Sequence, residues 1–196
     1  MNRSGGETLP ARNTSVNAAR LTERTTGSRE FRRCGLGADV AKLYFEDFAA
    51  GQVAEYGDML VTAEDIKDFA SQFDPQPMHL DEEAAKATIV GGLCASGWHT
   101  CAMMMRIIAD GFLLNSSSMG SPGIDEIRWL APVRPGDRLR VRSSIIETSE
   151  PRSRPDFGFV KTKFEVLNDA GTVVMHAITN LMLGRRTPRA ANSVIA

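Results

Sequence analysis

The segment ASGWHTCAMMMRIIADGF, residues 95–112, decides the reading of the fold. It is apolar nearly all round, interrupted only by His99, Thr100, Arg106 and Asp110, and a helix without a polar face belongs in the interior of a domain. Met103, Met104 and Met105 are expected to fill core volume there. Downstream run four period-2 segments: IDEIRWL at 124–130, RLRVRSSIIET at 138–148, FGFVKTKFEVL at 157–167 and TVVMHAITNLML at 172–183. PVRPGD, EPRSRPD and an NDAG turn separate them. In the second, Leu139, Val141, Ser143 and Ile145 alternate with Arg138, Arg140, Arg142 and Ser144, the pattern of a sheet wet on one face. The last is apolar on both faces. Upstream, GQVAEYGDMLVT at 51–62 reads as a first strand interrupted at Gly57. The sum is an α+β domain in which one long helix lies against a mostly antiparallel sheet.

Between the first strand and the long helix the period changes twice. Thr62 precedes AED as an N-cap with Asp65 in the third place, and Ile66, Phe69, Ala70 and Phe73 follow at helical spacing. Pro75 and Pro77 end that helix, because proline lacks an amide donor and pushes the preceding residue toward extended geometry. A second short helix starts at Asp81, its N-cap, and runs through EEAAKA. The break itself, FDPQPMHLD at 73–81, holds Asp74 and His79. In continuous helix these two would sit about 500° apart around the axis and about 7.5 Å along it. A fixed loop can instead turn both side chains inward. Taken alone, Asp74 reads as a helix-terminating turn residue and His79 as a loop histidine bonded to a backbone carbonyl.

Composition removes several classes of function. The formal net charge of −1 gives no global attraction to nucleic acid or to an anionic membrane. No apolar run reaches the roughly 18 residues a membrane-spanning helix needs, and a cytoplasmic location is expected. Cys34, Cys94 and Cys101 lack CxxC spacing, and the last two fall in one helical pattern; they read as buried apolar filler, not a disulfide framework or zinc site. His79, Asp81 and His99 could be imagined as a ligand set, but His99 lies on the core helix, so neither a metal nor a cofactor is expected. His176 reads as a structural strand histidine. Residues 1–40 are rich in Arg, Ser, Thr, Asn and Gly without periodicity and read as a disordered leader, followed by one domain over 41–186 and a flexible tail over 187–196.

The order of these parts resembles the MaoC-like acyl dehydratases, or (R)-specific enoyl-CoA hydratases, of the hot-dog fold. Three blocks carry the resemblance: D-P-Q-P-M-H-L-D at 74–81, A-S-G at 95–97, and R-W-L-A-P-V-R-P-G-D at 128–137. The resemblance implies a single hot-dog domain, a long central helix wrapped by a mostly antiparallel sheet. It also implies reversible addition of water across a trans-2-enoyl thioester carried on coenzyme A or an acyl carrier. Asp74 and His79 fall on the family's acid/base pair, and Gly97, at the start of the helix, becomes the expected oxyanion donor. A residue without Cβ there would let a thioester approach the backbone. Gln76 and Ser96 stand where many relatives carry Asn and His, and with Arg128 they are the expected substrate-binding residues. Arg128, Arg134 and Arg138 could attract nucleotide phosphates, though strand-edge solvation is the expected role of any one of them. No hydroxyl stands near Met105, where some relatives use a serine. The family's usual assembly implies a homodimer or higher homo-oligomer. Two alternatives stay open: a hot-dog thioesterase, and a non-catalytic acyl-thioester-binding subunit.

Overall fold

A computed structural model describes residues 42–152 and 154–187. The expected leader and nearly all of the expected tail lie outside the described residues. Strand β1 (Val53–Leu60) is followed by helices α1 (Ala63–Phe73), α2 (Pro77–Leu80) and α3 (Glu82–Lys86), and then by the long α4 (Gly97–Gly111). Strands β2 (Ser118–Gly120), β3 (Ile124–Trp129), β4 (Arg138–Ser149), β5 (Phe157–Leu167) and β6 (Val173–Gly184) complete the chain. They form one sheet in the order β1-β4-β5-β6, with β2 and β3 both pairing with β6, and every strand pair is antiparallel.

The core forms where α4 lies on the inner face of this sheet. Met103, Met104, Ile107 and Ile108 of the helix meet Leu139 and Val141 of β4, Phe164 and Val166 of β5, and Met175 and Ala177 of β6. Phe164 is fully buried, and full burial of such a side chain contributes about 1.5–3 kcal/mol relative to exposure. The alternation read in β4 is realised: Leu139, Val141, Ser143 and Ile145 are buried while the intervening arginines face outward. Those arginines pair across the outer face, Arg142 with Glu165 at 2.9 Å and Arg138 with Asp58 at 2.6 Å. Gly57 interrupts β1 for a steric reason. Its φ is +84°, the β1/β4 register shifts between Tyr56 and Met59, and a Cβ there would lie 2.5 Å from Ile107 Cγ2.

Three features differ from the expectation. The break after α1 is not all loop: Pro77 opens one helical turn, α2, because proline's fixed φ suits the first helical position and its missing N–H costs nothing there. The short strand β2 lies in what reads as a Ser/Gly/Pro loop, too brief for a period to register. Helix α4 is not buried all round. Trp98, Ala102 and Met105 form an exposed stripe at i, i+4 and i+7, so Met105 does not fill the core, and Cys94 precedes the helix. No helix among the described residues is long and apolar enough to cross a membrane.

Candidate active site

Asp74 is the C-cap of α1, its amide bonded to Ala70 O at 3.0 Å. Pro75 prevents the helix from continuing, and the chain re-enters helical geometry at Pro77, which places His79 on α2 with only 3% exposure. The result is a convergence: His79 Nε2 lies 3.6 Å from Asp74 Oδ2. His79 Nδ1 lies 2.8 Å from Cys94 O, and because a carbonyl only accepts, Nδ1 carries a proton while Nε2 faces Asp74. The carbonyl contact read for a loop histidine is present at Nδ1, and Nε2 is the ring atom turned to Asp74.

Asp74 is held from two further sides. Ser96 Oγ donates to Oδ2 at 2.6 Å, and Gln76 Nε2 donates to Oδ1 at 2.8 Å. The Ser96 hydroxyl, with help from the Gln76 amide and the nearby His79, holds the Asp74 carboxyl below the usual carboxylate range against the opposing effect of burial. Gln76 and Ser96, expected to touch substrate, are thus placed on the carboxylate. Ser96 is also the N-cap of α4, its Oγ accepting from Trp98 N at 3.2 Å, so the free amides of the helix's first turn begin one peptide from the dyad.

Gly97 opens that turn, but the space beside it has an occupant. A Cβ at position 97 would lie 2.6 Å from Trp129 Cε2, and Trp129 Nε1 donates to Gly97 O at 2.9 Å. The glycine admits an indole from β3, which the sequence reading, assigning the space to a thioester, missed. Arg128 is not brought to the dyad. It stands opposite His176 in the β3/β6 register, on the face away from Trp129, with its Nε 3.7 Å from Glu126 Oε1. Glu126 also accepts from His176 Nε2 at 2.7 Å, which accounts for that histidine structurally. Arg134 is turned inward onto the carbonyls of Leu93 and Val90.

Other chemistry near the dyad is limited. Cys94 Sγ is 3.9 Å from His79 Nδ1, but burial pushes its thiol up despite Arg134, so it is no nucleophile near neutral pH. His99 is buried and stacks on Phe69 at 4.6 Å with planes 6° apart, and its Nδ1 has no hydrogen-bond partner. Burial lowers its pKa, with Asp65 acting in the opposite sense. Among the described residues no group of three or more His, Cys, Asp or Glu is assembled to hold a metal ion. A cavity of about 330 Å³ lies elsewhere, lined by Phe48, Tyr56, Phe112, Ile145 and Leu181 among others, and none of the dyad residues reaches it.

Comparison with known proteins gives the family. The family model described as "MaoC like domain" matches residues 47–162, a span that includes Asp74, His79 and Gly97. A MaoC-like dehydratase from Rhodospirillum rubrum is 40% identical with a TM-score of 0.69, covering 74% of this chain and 99% of that one. The R-hydratase PhaJ1 from Pseudomonas aeruginosa is 25% identical with a TM-score of 0.60, covering 79% and 96%. The 3-hydroxyacyl-thioester dehydratase Z of Mycobacterium tuberculosis is 29% identical over 125 residues, 62% of this chain and 83% of that protein. With a helix laid across one antiparallel sheet and the family's match spanning more than half its length, this chain belongs to the MaoC-like dehydratase family of hot-dog proteins.

Proposed function

We propose that this protein is a hydro-lyase that adds water to, or removes it from, a trans-2-enoyl thioester carried on coenzyme A or an acyl carrier protein. One observation carries the reading: Asp74 Oδ2 and His79 Nε2 stand 3.6 Å apart beside the N-terminus of α4. That spacing is too long for a direct hydrogen bond and suits a single water donating to both. In the hydration direction the imidazole takes a proton from this water as its oxygen bonds to the β-carbon, while Asp74 fixes the oxygen's position. The double-bond electrons move onto the thioester as an enolate. The Gly97 amide and the positive end of α4 stabilise its oxygen, and such a donor is typically worth about 10²–10³ in rate. The pair then returns a proton to the α-carbon, so that water and enoyl thioester become one 3-hydroxyacyl thioester. Gln76 and Ser96 serve by holding the Asp74 carboxylate. Arg128, exposed and held by Glu126 only at 3.7 Å, is assigned to the phosphates of the carrier.

The substrate cleft is completed by a second copy of the chain. Trp98 and Trp129 meet edge to face with centroids 5.7 Å apart, and with Met105, Ile124 and Leu130 they leave an exposed apolar surface beside β3, whose outer edge is unpaired among the described residues. An open strand edge flanked by apolar side chains is a pairing surface. The reaction class is tested by mixing purified protein with a short enoyl-CoA and following the conjugated-thioester absorbance together with free thiol. Loss of absorbance without thiol is the expected result. Thiol release would instead establish a thioesterase, and no change with any acyl length would leave a binding subunit.

A further inference from the structure

We propose that Trp129, on strand β3, is a positioning residue of the Asp74–His79 site, acting through the Gly97–Trp98 peptide and the Ser96 hydroxyl. The inference rests on the reading of the dyad as the hydration site and names a residue to which that reading gives no part in the chemistry.

Three hydrogen bonds connect the indole to the carboxylate. Trp129 Nε1 donates to Gly97 O at 2.9 Å. The N–H of that same peptide, on Trp98, donates to Ser96 Oγ at 3.2 Å. Ser96 Oγ has a single proton, and it goes to Asp74 Oδ2 at 2.6 Å. Each group therefore donates onward in one direction, from the indole to the carboxylate. An acceptor bond at a peptide carbonyl polarises its N–H, and such chains strengthen each member by roughly 10–30% per bond.

Steric contact reinforces the chain. The indole fills the volume a Cβ at residue 97 would need, with Trp129 Nε1 2.7 Å and Cδ2 3.0 Å from that point. The first peptide of α4 is thus pinned by a bond on its carbonyl and by a ring against its α-carbon. That peptide also carries the N–H that donates to the Ser96 hydroxyl, and the adjoining Gly97 amide is the proposed oxyanion donor. Loosening Trp129 shifts both arms of the site together. At its far end Trp129 packs on Trp98, which is 60% exposed, so the chain begins at the surface assigned to the second copy and ends at the carboxylate.

The test compares wild type with Trp129→Phe, which keeps an aromatic ring and loses the N–H. Two readouts are taken: the pH profile of enoyl-CoA hydration, and the titration of the Asp74 carboxyl carbon by NMR without substrate. The expected result is a rise in the Asp74 midpoint, and kcat lowered about two- to three-fold on the acid limb with KM little changed. In a Ser96→Ala background the same Trp129 change should leave the Asp74 titration unmoved, because the chain is already cut. Should Trp129→Phe fold poorly, benzothienylalanine at position 129 retains the bicyclic shape without the N–H and is read in the same way. An Asp74 midpoint unchanged by both replacements overturns the proposal, as does an equal effect with and without Ser96. Absence of hydratase activity in the wild type would defeat the functional reading instead, and the titration alone would then decide the relay.

Discussion

Replacing Ser96 with alanine separates two roles that one hydroxyl performs. As an N-cap its oxygen accepts from Trp98 N at 3.2 Å, and as a donor its proton goes to Asp74 Oδ2 at 2.6 Å. Losing a cap costs about 0.5–2 kcal/mol, the lower end suiting a bond this long. Losing a hydrogen bond to a charged group costs about 1.5–3 kcal/mol, and Ser96 is only 1% exposed, so water does not readily take its place. The two losses depend differently on pH. Ser96 is the first cause of the lowered Asp74 pKa, so the folded carboxyl ionises below its unfolded value near 3.9. Stability from this bond is fully present above the unfolded pKa and is lost as pH falls through the folded one. Ser96→Ala should therefore be about 2–4 kcal/mol less stable than wild type at pH 7, with the gap narrowing toward the cap contribution as pH drops below about 4. Chemical denaturation at a series of pH values measures this. A gap that stays constant through the acid range would show that Ser96 only caps the helix, and the account of Asp74 would be wrong.

Other perturbations give equally definite expectations. His99→Phe keeps the stacking on Phe69 and removes an imidazole whose pKa burial lowers; wild type should lose stability as pH falls below about 6.5, where the unfolded chain binds the extra proton, and the variant's thermal midpoint should be flatter over that window. An unchanged slope would mean that a group other than His99 carries the acid sensitivity. Gly57→Ala must accept both the +84° φ and a 2.5 Å approach to Ile107 Cγ2, so it should cost about 1–3 kcal/mol in urea unfolding. Met105→Lys, on a half-exposed position of the single chain, should leave monomer folding intact but shift sedimentation from dimer to monomer, whereas an unaltered dimer would place the interface elsewhere.

The sheet and the break before His79 were legible because they rest on local rules. Alternation in Leu139, Val141, Ser143 and Ile145 identifies an inner face, and two prolines fix where α1 stops. The Asp74–His79 pair was legible through its spacing joined to the two downstream blocks. What the chain does not announce is contact between distant segments. Cys94 meets His79 through its carbonyl, which any residue type would supply equally. Gln76 and Ser96 are readable as polar residues near the site, but only their geometry shows that both grip one carboxylate. Trp129 sits in an edge strand with no periodic signal tying it to Gly97. The apolar stripe of Trp98, Ala102 and Met105 misleads in the opposite direction: an exposed apolar stripe has the same composition as a core, so a reading from the sequence buries it.

The most direct measurement of the central claim is a double-mutant cycle on enoyl-CoA hydration with Asp74→Asn, His79→Ala and the two combined, each first shown to unfold at wild-type temperature. Groups that act on one water lose their effect as a unit, so either change alone should reduce kcat by about 10² or more and the pair should be little worse than the poorer single variant. Normal turnover by either single variant, or losses that multiply as for independent sites, would contradict the shared-water mechanism.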